Sequence, residues 1–174
     1  MTWLTAPLVK PINEGQVAGS VSVAEQRRGK SIAMSRDEAD AFLREQRTCR
    51  VASVGRDGQP HNKPLWFVWD GSALWLNSIV RSQRWADLER EPRVGVVVDT
   101  GEDFDELRGV ELLGSVAVVG EVPRTAAPDP ALETPERLFG QKYAGGAFVA
   151  DGRHAWLRLT PVKLVSWDFR KTAR

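Results

Sequence analysis

Little in this 174-residue chain offers covalent or metal chemistry. Its one cysteine, Cys49, excludes an intrachain disulfide. With only two histidines, His61 and His154, a structural zinc site lacks ligands. Cys49 sits in an apolar run and reads as a buried small residue. Charge of one sign is missing too: 24 Lys and Arg stand against 23 Asp and Glu. That balance argues against a general nucleic-acid or membrane-surface binder. No run is apolar and long enough to span a bilayer. The first residues lack the basic-then-apolar order of a secretory leader, so the expected location is the cytoplasm. There is no P-loop and no Gly-x-Gly-x-x-Gly fingerprint. Ser-His-Asp combinations can be drawn, but no nucleophile elbow supports one.

What is present is a soluble globular composition, 42% hydrophobic and 27% charged. The length suits one domain with a tail. Seven tryptophans stand against one tyrosine. Core packing accounts for most of them, and a flat-ligand site or a subunit interface for the others. Residues 1–33 show no sustained period and contain Pro7, Pro11, Gly15, Gly19 and the basic run Arg27, Arg28, Lys30. They read as a partly flexible arm available to a partner subunit. The folded domain is expected over 34–174.

That domain opens with Ser35-Arg36-Asp37-Glu38, which has capping-box spacing. The helix it starts should bury Ala39, Phe42 and Leu43 and end near Arg47. The period then changes to two. Strands are predicted over 49–54, 62–69 and 73–77, joined by turns at Gly55-Arg56-Asp57-Gly58 and Asp70-Gly71. A short helix over 82–91 stops at Pro92. A Val-rich strand over 93–99 reads as buried on both faces. A long strand follows over 110–119, then a Pro-rich connection and a helix over 136–143. Two closing strands, 155–160 and 163–168, are parted near Pro161. About six or seven short strands with about three helices favour an antiparallel barrel, mainly β with α.

The stretch with chemical content is Asn77-Ser78-Ile79-Val80-Arg81-Ser82-Gln83-Arg84. It links a strand to a helix. Ser82 is a good N-cap, and Arg81 and Arg84 flank the helix start. Cations there oppose the helix dipole, and Glu89 and Glu91 oppose it at the far end. A helix start that holds a phosphate explains this, because amides, a hydroxyl and guanidinium groups converge on one anion. An ordinary solvated surface explains it equally well, since each such charge is worth about 0.3–1 kcal/mol. His61 reads as a polar strand residue or as a neighbour of a ligand.

The capped helix followed by Arg50-Val51-Ala52-Ser53-Val54-Gly55-Arg56-Asp57-Gly58-Gln59-Pro60 resembles the opening of the pyridoxamine 5'-phosphate oxidase-like superfamily. Leu74-Trp75-Leu76-Asn77, Arg81-Ser82-Gln83-Arg84 and Leu88-Glu89-Arg90-Glu91-Pro92-Arg93-Val94 follow in order. The last block resembles one common in actinobacterial deazaflavin-dependent members, the B class of flavin/deazaflavin oxidoreductases. Ser166-Trp167-Asp168-Phe169-Arg170-Lys171 resembles the tail of some members.

The resemblance implies a split β-barrel homodimer with short flanking helices and cofactors in grooves at the interface. Ser82 and Arg84 match phosphate-binding positions, with Gln83 between them and Arg81 adjacent. Asn62, Lys63, Pro64, Leu65 and Trp66 match the strand whose backbone lines the ring system. Asn77 and Ser78 match the strand end beneath the ribityl chain, and Trp167 and Arg170 reach the site from the C-terminal segment. Pro64 departs from the pattern, having no amide hydrogen to donate, and Arg84 stands where many members carry Lys. The cofactor implied is coenzyme F420, delivering hydride to a small unsaturated substrate. FMN is the alternative, and a non-catalytic cofactor or haem carrier is a third reading. Loops 101–106 and 124–135 are expected to shape the substrate pocket.

Overall fold

Apolar residues at every second position give a strand one buried face, and six such strands here close on themselves. The computed structural model describes Ala24, Gln26, Arg27 and residues 29–172. Strands β1 (Thr48–Val54), β2 (Pro60–Trp69), β3 (Leu74–Ile79), β4 (Arg93–Thr100), β5 (Arg108–Val119) and β6 (His154–Asp168) form a closed antiparallel barrel in the order β1-β2-β3-β6-β5-β4. Cys49, Val51, Phe67, Leu74, Leu76, Val96, Val98, Val110, Leu112, Leu157 and Leu159 fill its interior. Each such side chain is worth roughly 1.5–3 kcal/mol when removed from water.

Three helices surround the barrel: α1 (Arg36–Glu45), α2 (Gln83–Arg90) and α3 (Glu133–Tyr143). The Ser35–Glu38 capping box forms with both of its bonds. Helix α1 ends two residues earlier than expected, because Gln46 turns extended and donates its N–H to Phe42 O. Phe42 and Leu43 of α1, and Trp85 and Leu88 of α2, join the interior core. Helix α3 covers the outside of the barrel instead. There Val68, Trp75 and Trp156 form a second cluster with Leu138, Phe139 and Tyr143. Three tryptophans are core residues whose indole N–H is satisfied: Trp69 by Asp40, Trp75 by Asp70 and Trp156 by Glu136.

Three expectations change. The two closing strands are one, β6: Leu113 pairs with Lys163 and Gly114 with Pro161, so Val162 is the extra residue of a bulge beside Pro161. A bulge tolerates the missing amide, so the proline does not end the strand. Strand β4 buries Val94, Val96 and Val98 on one face only, while Gly95 and Val97 on the other are half-buried. The reason is that no helix packs over that outer face among the described residues. Loop 101–106 contains a short 3-10 turn, Phe104–Glu106, with Phe104 against Phe169.

The predicted arm, 1–33, lies mostly outside the described residues, as does Arg28 of its basic run. Its described part lies along β6. Ala24 donates its N–H to Val162 O, and the Gln26 amide brackets the backbone of Ser166.

Candidate functional site in the barrel split

The barrel is not sealed evenly. Strand β2 pairs with β1 from Pro60 to Trp66, but with β3 only through Phe67, Val68 and Trp69. Continuing that register would set Trp66 against Asn77 and Pro64 against Ile79, and neither pair forms. The strands part there, leaving a split between residues 60–66 and 77–79.

Backbone direction in the split follows from antiparallel alternation. Gly55 N–H bonds Gln59 O, and the Tyr143 hydroxyl accepts from Phe67 N–H while bridging Arg47 O and Phe67 O. Odd-numbered residues of β2 therefore turn their amide groups toward β1. Asn62 and Trp66 turn N–H and C=O into the split, and Pro64 its C=O. Proline fits position 64 because no ladder bond is lost there. It also removes one donor from this edge.

Across the split stand β3 and the start of α2. Ser82 is the N-cap: its Oγ accepts from Trp85 N–H at 3.2 Å and donates to Ile79 O at 2.8 Å. Arg84 is half-buried. Its Nε and one Nη lie 3.3 and 3.0 Å from the hydroxyl of buried Ser78. Burial lowers the Arg84 pKa from the ordinary guanidinium value, and among the described residues no carboxylate pairs with it. The next residue of β3, Asn77, turns its side chain to the opposite face of the strand from Ser78, and its buried Nδ2 has no hydrogen-bond partner among the described residues. An unmet buried donor costs about 1–3 kcal/mol. A half-buried cation without a carboxylate partner suits an anion, and an orphaned amide at the same end of β3 suits a hydrogen-bond acceptor.

Gln83 has another task. Its Nε2 donates to Asp87 Oδ1 at 2.8 Å. Asp87 is fully buried and also takes Ser53 Oγ at 3.1 Å and His61 Nδ1 at 2.8 Å. These bonds, Gln83 first and His61 next, hold the Asp87 carboxyl below its usual range. The knot fastens α2 to the β1–β2 hairpin and so positions Ser82 and Arg84. Ser53 and His61 both bond the carboxylate rather than each other, so the three do not form a nucleophilic triad.

Lys63 and Asn62 are exposed, and Leu65 packs on the core. Trp66 is 53% exposed and stacks on Tyr143, with centroids 4.6 Å apart. Arg81 is exposed and lines a cavity beyond the end of β3. Trp167 and Arg170 are not brought to the split within this chain. Trp156 faces Asn77, whereas Trp167 lies near the other end of β6 against Gly109, on the order of 35 Å further along at the usual strand rise. Arg170 is paired with Asp168 at 2.7 Å. Loop 101–106 sits at that far end as well, since Thr100 pairs with Arg108 and Arg108 with Asp168.

Sequence reasoning missed Lys142 and Tyr143. Lys142 lies 4.3 Å from the Phe67 ring, and burial, with help from Arg47, pushes its pKa down to about 8. Tyr143 bridges the β1 and β2 backbones where the ladder ends. Neither residue carried a signal, because only the docking of α3 brings it there.

The family described as Pyridoxamine 5'-phosphate oxidase matches residues 35–168. The conserved hypothetical protein Rv2991 from Mycobacterium tuberculosis is 30% identical with a TM-score of 0.72, covering 87% of this chain and 94% of that one. An F420 reductase shares the fold at 21% identity and TM-score 0.53, covering 72% and 94%. HutZ, a heme storage protein from Vibrio cholerae, does so at 17% identity and TM-score 0.60, covering 75% and 93%. No curated protein matches the chain.

Proposed function

Because this chain belongs to the pyridoxamine 5'-phosphate oxidase family, we propose that it is a flavin- or deazaflavin-dependent oxidoreductase whose cofactor lies in the β2–β3 split. The observation that carries this reading is Arg84, a half-buried guanidinium oriented by the Ser78 hydroxyl and lacking a carboxylate partner among the described residues. The Asn77 amide supports it, since a buried donor with no partner fits an accepting ligand.

In this reading Arg84 and the α2 amides near Ser82 hold the phosphate. Asn77 donates to the polyol chain, and the Asn62 and Trp66 backbones meet the ring edge. Coenzyme F420 is the preferred group, and when bound it would supply hydride for an activated double bond in a small organic substrate. The protein's share is to orient this group and exclude water. Trp66, exposed at the lip and backed by Tyr143, offers a flat surface for ring or substrate. The half-buried outer face of β4 suits a homodimer, in which Trp167 and Arg170 reach the split from the partner. No described helix is long and apolar enough to cross a membrane, and a cytoplasmic reductase fits that.

FMN is the second reading, since one phosphate and one ring would meet the same residues. A parallel fluorescence titration of the purified protein with coenzyme F420 and with FMN separates the two. Micromolar or tighter binding of F420 with weak FMN binding is expected. Preference for FMN moves the protein to the flavin branch. Binding of neither removes the cofactor reading.

A further inference from the structure

Helix α3 lies outside the barrel, yet its Lys142 carries an amine inward. Lys142 is half-buried, with Nζ 4.3 Å from the ring centre of Phe67, a core residue, and 3.4 Å from Phe67 O. A cavity of about 240 Å³ adjoins it, lined by Arg44, Val68, Trp69, Leu138, Gln141 and Lys142. Val68 and Trp69 lie where β2 is paired with β3. This corner is therefore not the split, and the cofactor has no part in it.

Two cations face the amine from α1 and the turn after it. Arg44 is on the cavity wall, and the Arg47 guanidinium lies 4.8 Å from the Tyr143 ring centre, with Lys142 Nζ 5.7 Å from the same centre. The titratable groups near by are neutral: burial pushes both the Cys49 thiol of β1 and the Tyr143 hydroxyl of α3 up to about 12. Among the described residues no carboxylate pairs with Arg44, Arg47 or Lys142. Arg44 and Lys142 each stand in the last turn of a helix, where the dipole favours a cation. That accounts for a lysine at this position but not for the burial of its amine.

An apolar surrounding and a second cation are the two conditions that activate a lysine as a nucleophile. Lys142 meets both, and burial first, then Arg47, pulls its pKa down to about 8. A neutral lone pair is thus available near neutral pH. Charge decides which electrophile suits it. An imine would leave a neutral or cationic nitrogen beside Arg47. A carbamate would place an anion there and turn the repulsion into attraction.

We propose that Lys142 is a carbamylation site, whose amine adds carbon dioxide and whose carbamate is held by Arg47. The Nζ lone pair attacks the carbon of CO2 and forms an N–C bond. One C=O electron pair moves onto oxygen, and the nitrogen gives up a proton to water. Neutral amine and CO2 become a carbamate anion and a proton, with no change of oxidation state. Acid reverses the addition by protonating the amine. Residue 142 thereby changes sign next to Tyr143, on which Trp66 stacks.

The test equilibrates the wild type, Lys142→Met and Arg47→Met with isotope-labelled bicarbonate, traps carbamates with a trialkyloxonium salt and locates them by peptide mass mapping. At fixed dissolved CO2, the wild type should carry label on Lys142, rising as pH passes about 8. Arg47→Met should weaken CO2 addition there about tenfold, as for one lost charge-assisted contact. Bicarbonate should raise the melting temperature of the wild type above that in equal chloride, and should not do so for Lys142→Met. Mapping of the wild type decides the site even if a variant does not fold. No carbamate on Lys142, label confined to other amines, or an addition indifferent to Arg47→Met would overturn the proposal.

Discussion

Strands β5 and β6 face each other from Arg108–Asp168 to Val119–Trp156, whereas β2 and β3 pair only between Phe67–Trp69 and Leu74–Leu76. Along the first seam nearly every amide is spent on the ladder, and Val110, Leu112, Leu157 and Leu159 are buried behind it. Along the second, β2 presents free amide groups at Asn62 and Trp66 opposite an uncompensated arginine and an orphaned amide. An unpaired edge is normally a liability. Here α3 and Tyr143 seal one end of it, and Pro60 and Pro64 deny donors to a stray strand. The sealed seam holds the barrel together, and the open one is left for a ligand.

Substitutions in the two seams should therefore differ in kind. Leu112→Ala behind the sealed seam should cost about 2–5 kcal/mol through the cavity it leaves. In calorimetry the melting temperature falls, while cofactor affinity of the folded fraction stays unchanged. Arg84→Ala in the open seam should do the reverse. It loses a charge-assisted contact of about 1.5–3 kcal/mol, weakening the cofactor more than tenfold in a binding titration, with little change in melting temperature. A large stability loss at Arg84 would make it a structural residue and blur the contrast.

Lys142 sharpens the comparison through pH. Its folded pKa, about 8, lies below the ordinary 10.5, so the folded protein disfavours the charged amine. Stability should rise as pH climbs from about 8 toward 10.5, where the unfolded chain still binds a proton that the folded one has released. Lys142→Met should then stabilise by about 1 kcal/mol at neutral pH, after allowance for solvent screening and the lost contact with Phe67. That gain should fade in alkaline thermal melts. The smallest effect belongs to Pro64→Ala, which adds an N–H facing the split and breaks no ladder bond. Its stability should stay within about 0.5 kcal/mol of wild type; a larger loss would show that Pro64 does more than spare a donor.

Much of the fold was legible because its signals are local. The Ser35–Glu38 box, the Gly55–Gly58 and Asp70-Gly71 turns and the period-two runs each sit within a few residues. The closing strand was misread because Pro161 looks like a break and becomes harmless only beside the bulge at Val162 in β6. At the site, Arg84, Ser82 and Asn77 stood out through position, charge and resemblance. Gln83 could not be assigned to Asp87 before α2 was seen docked on the hairpin. Lys142 gave no signal, since helix docking creates its neighbourhood.

The central claim is that the β2 edge facing β3 is a ligand edge, and residue-resolved amide exchange tests it most directly. Without cofactor, Asn62 and Trp66 should exchange fast while Lys63 and Leu65, laddered to β1, exchange slowly. Saturating coenzyme F420, or FMN if that is the cofactor bound, should slow Asn62 and Trp66 and leave β5 and β6 unchanged. Protection that appears elsewhere, with Asn62 and Trp66 still exchanging freely under a bound cofactor, would contradict the account.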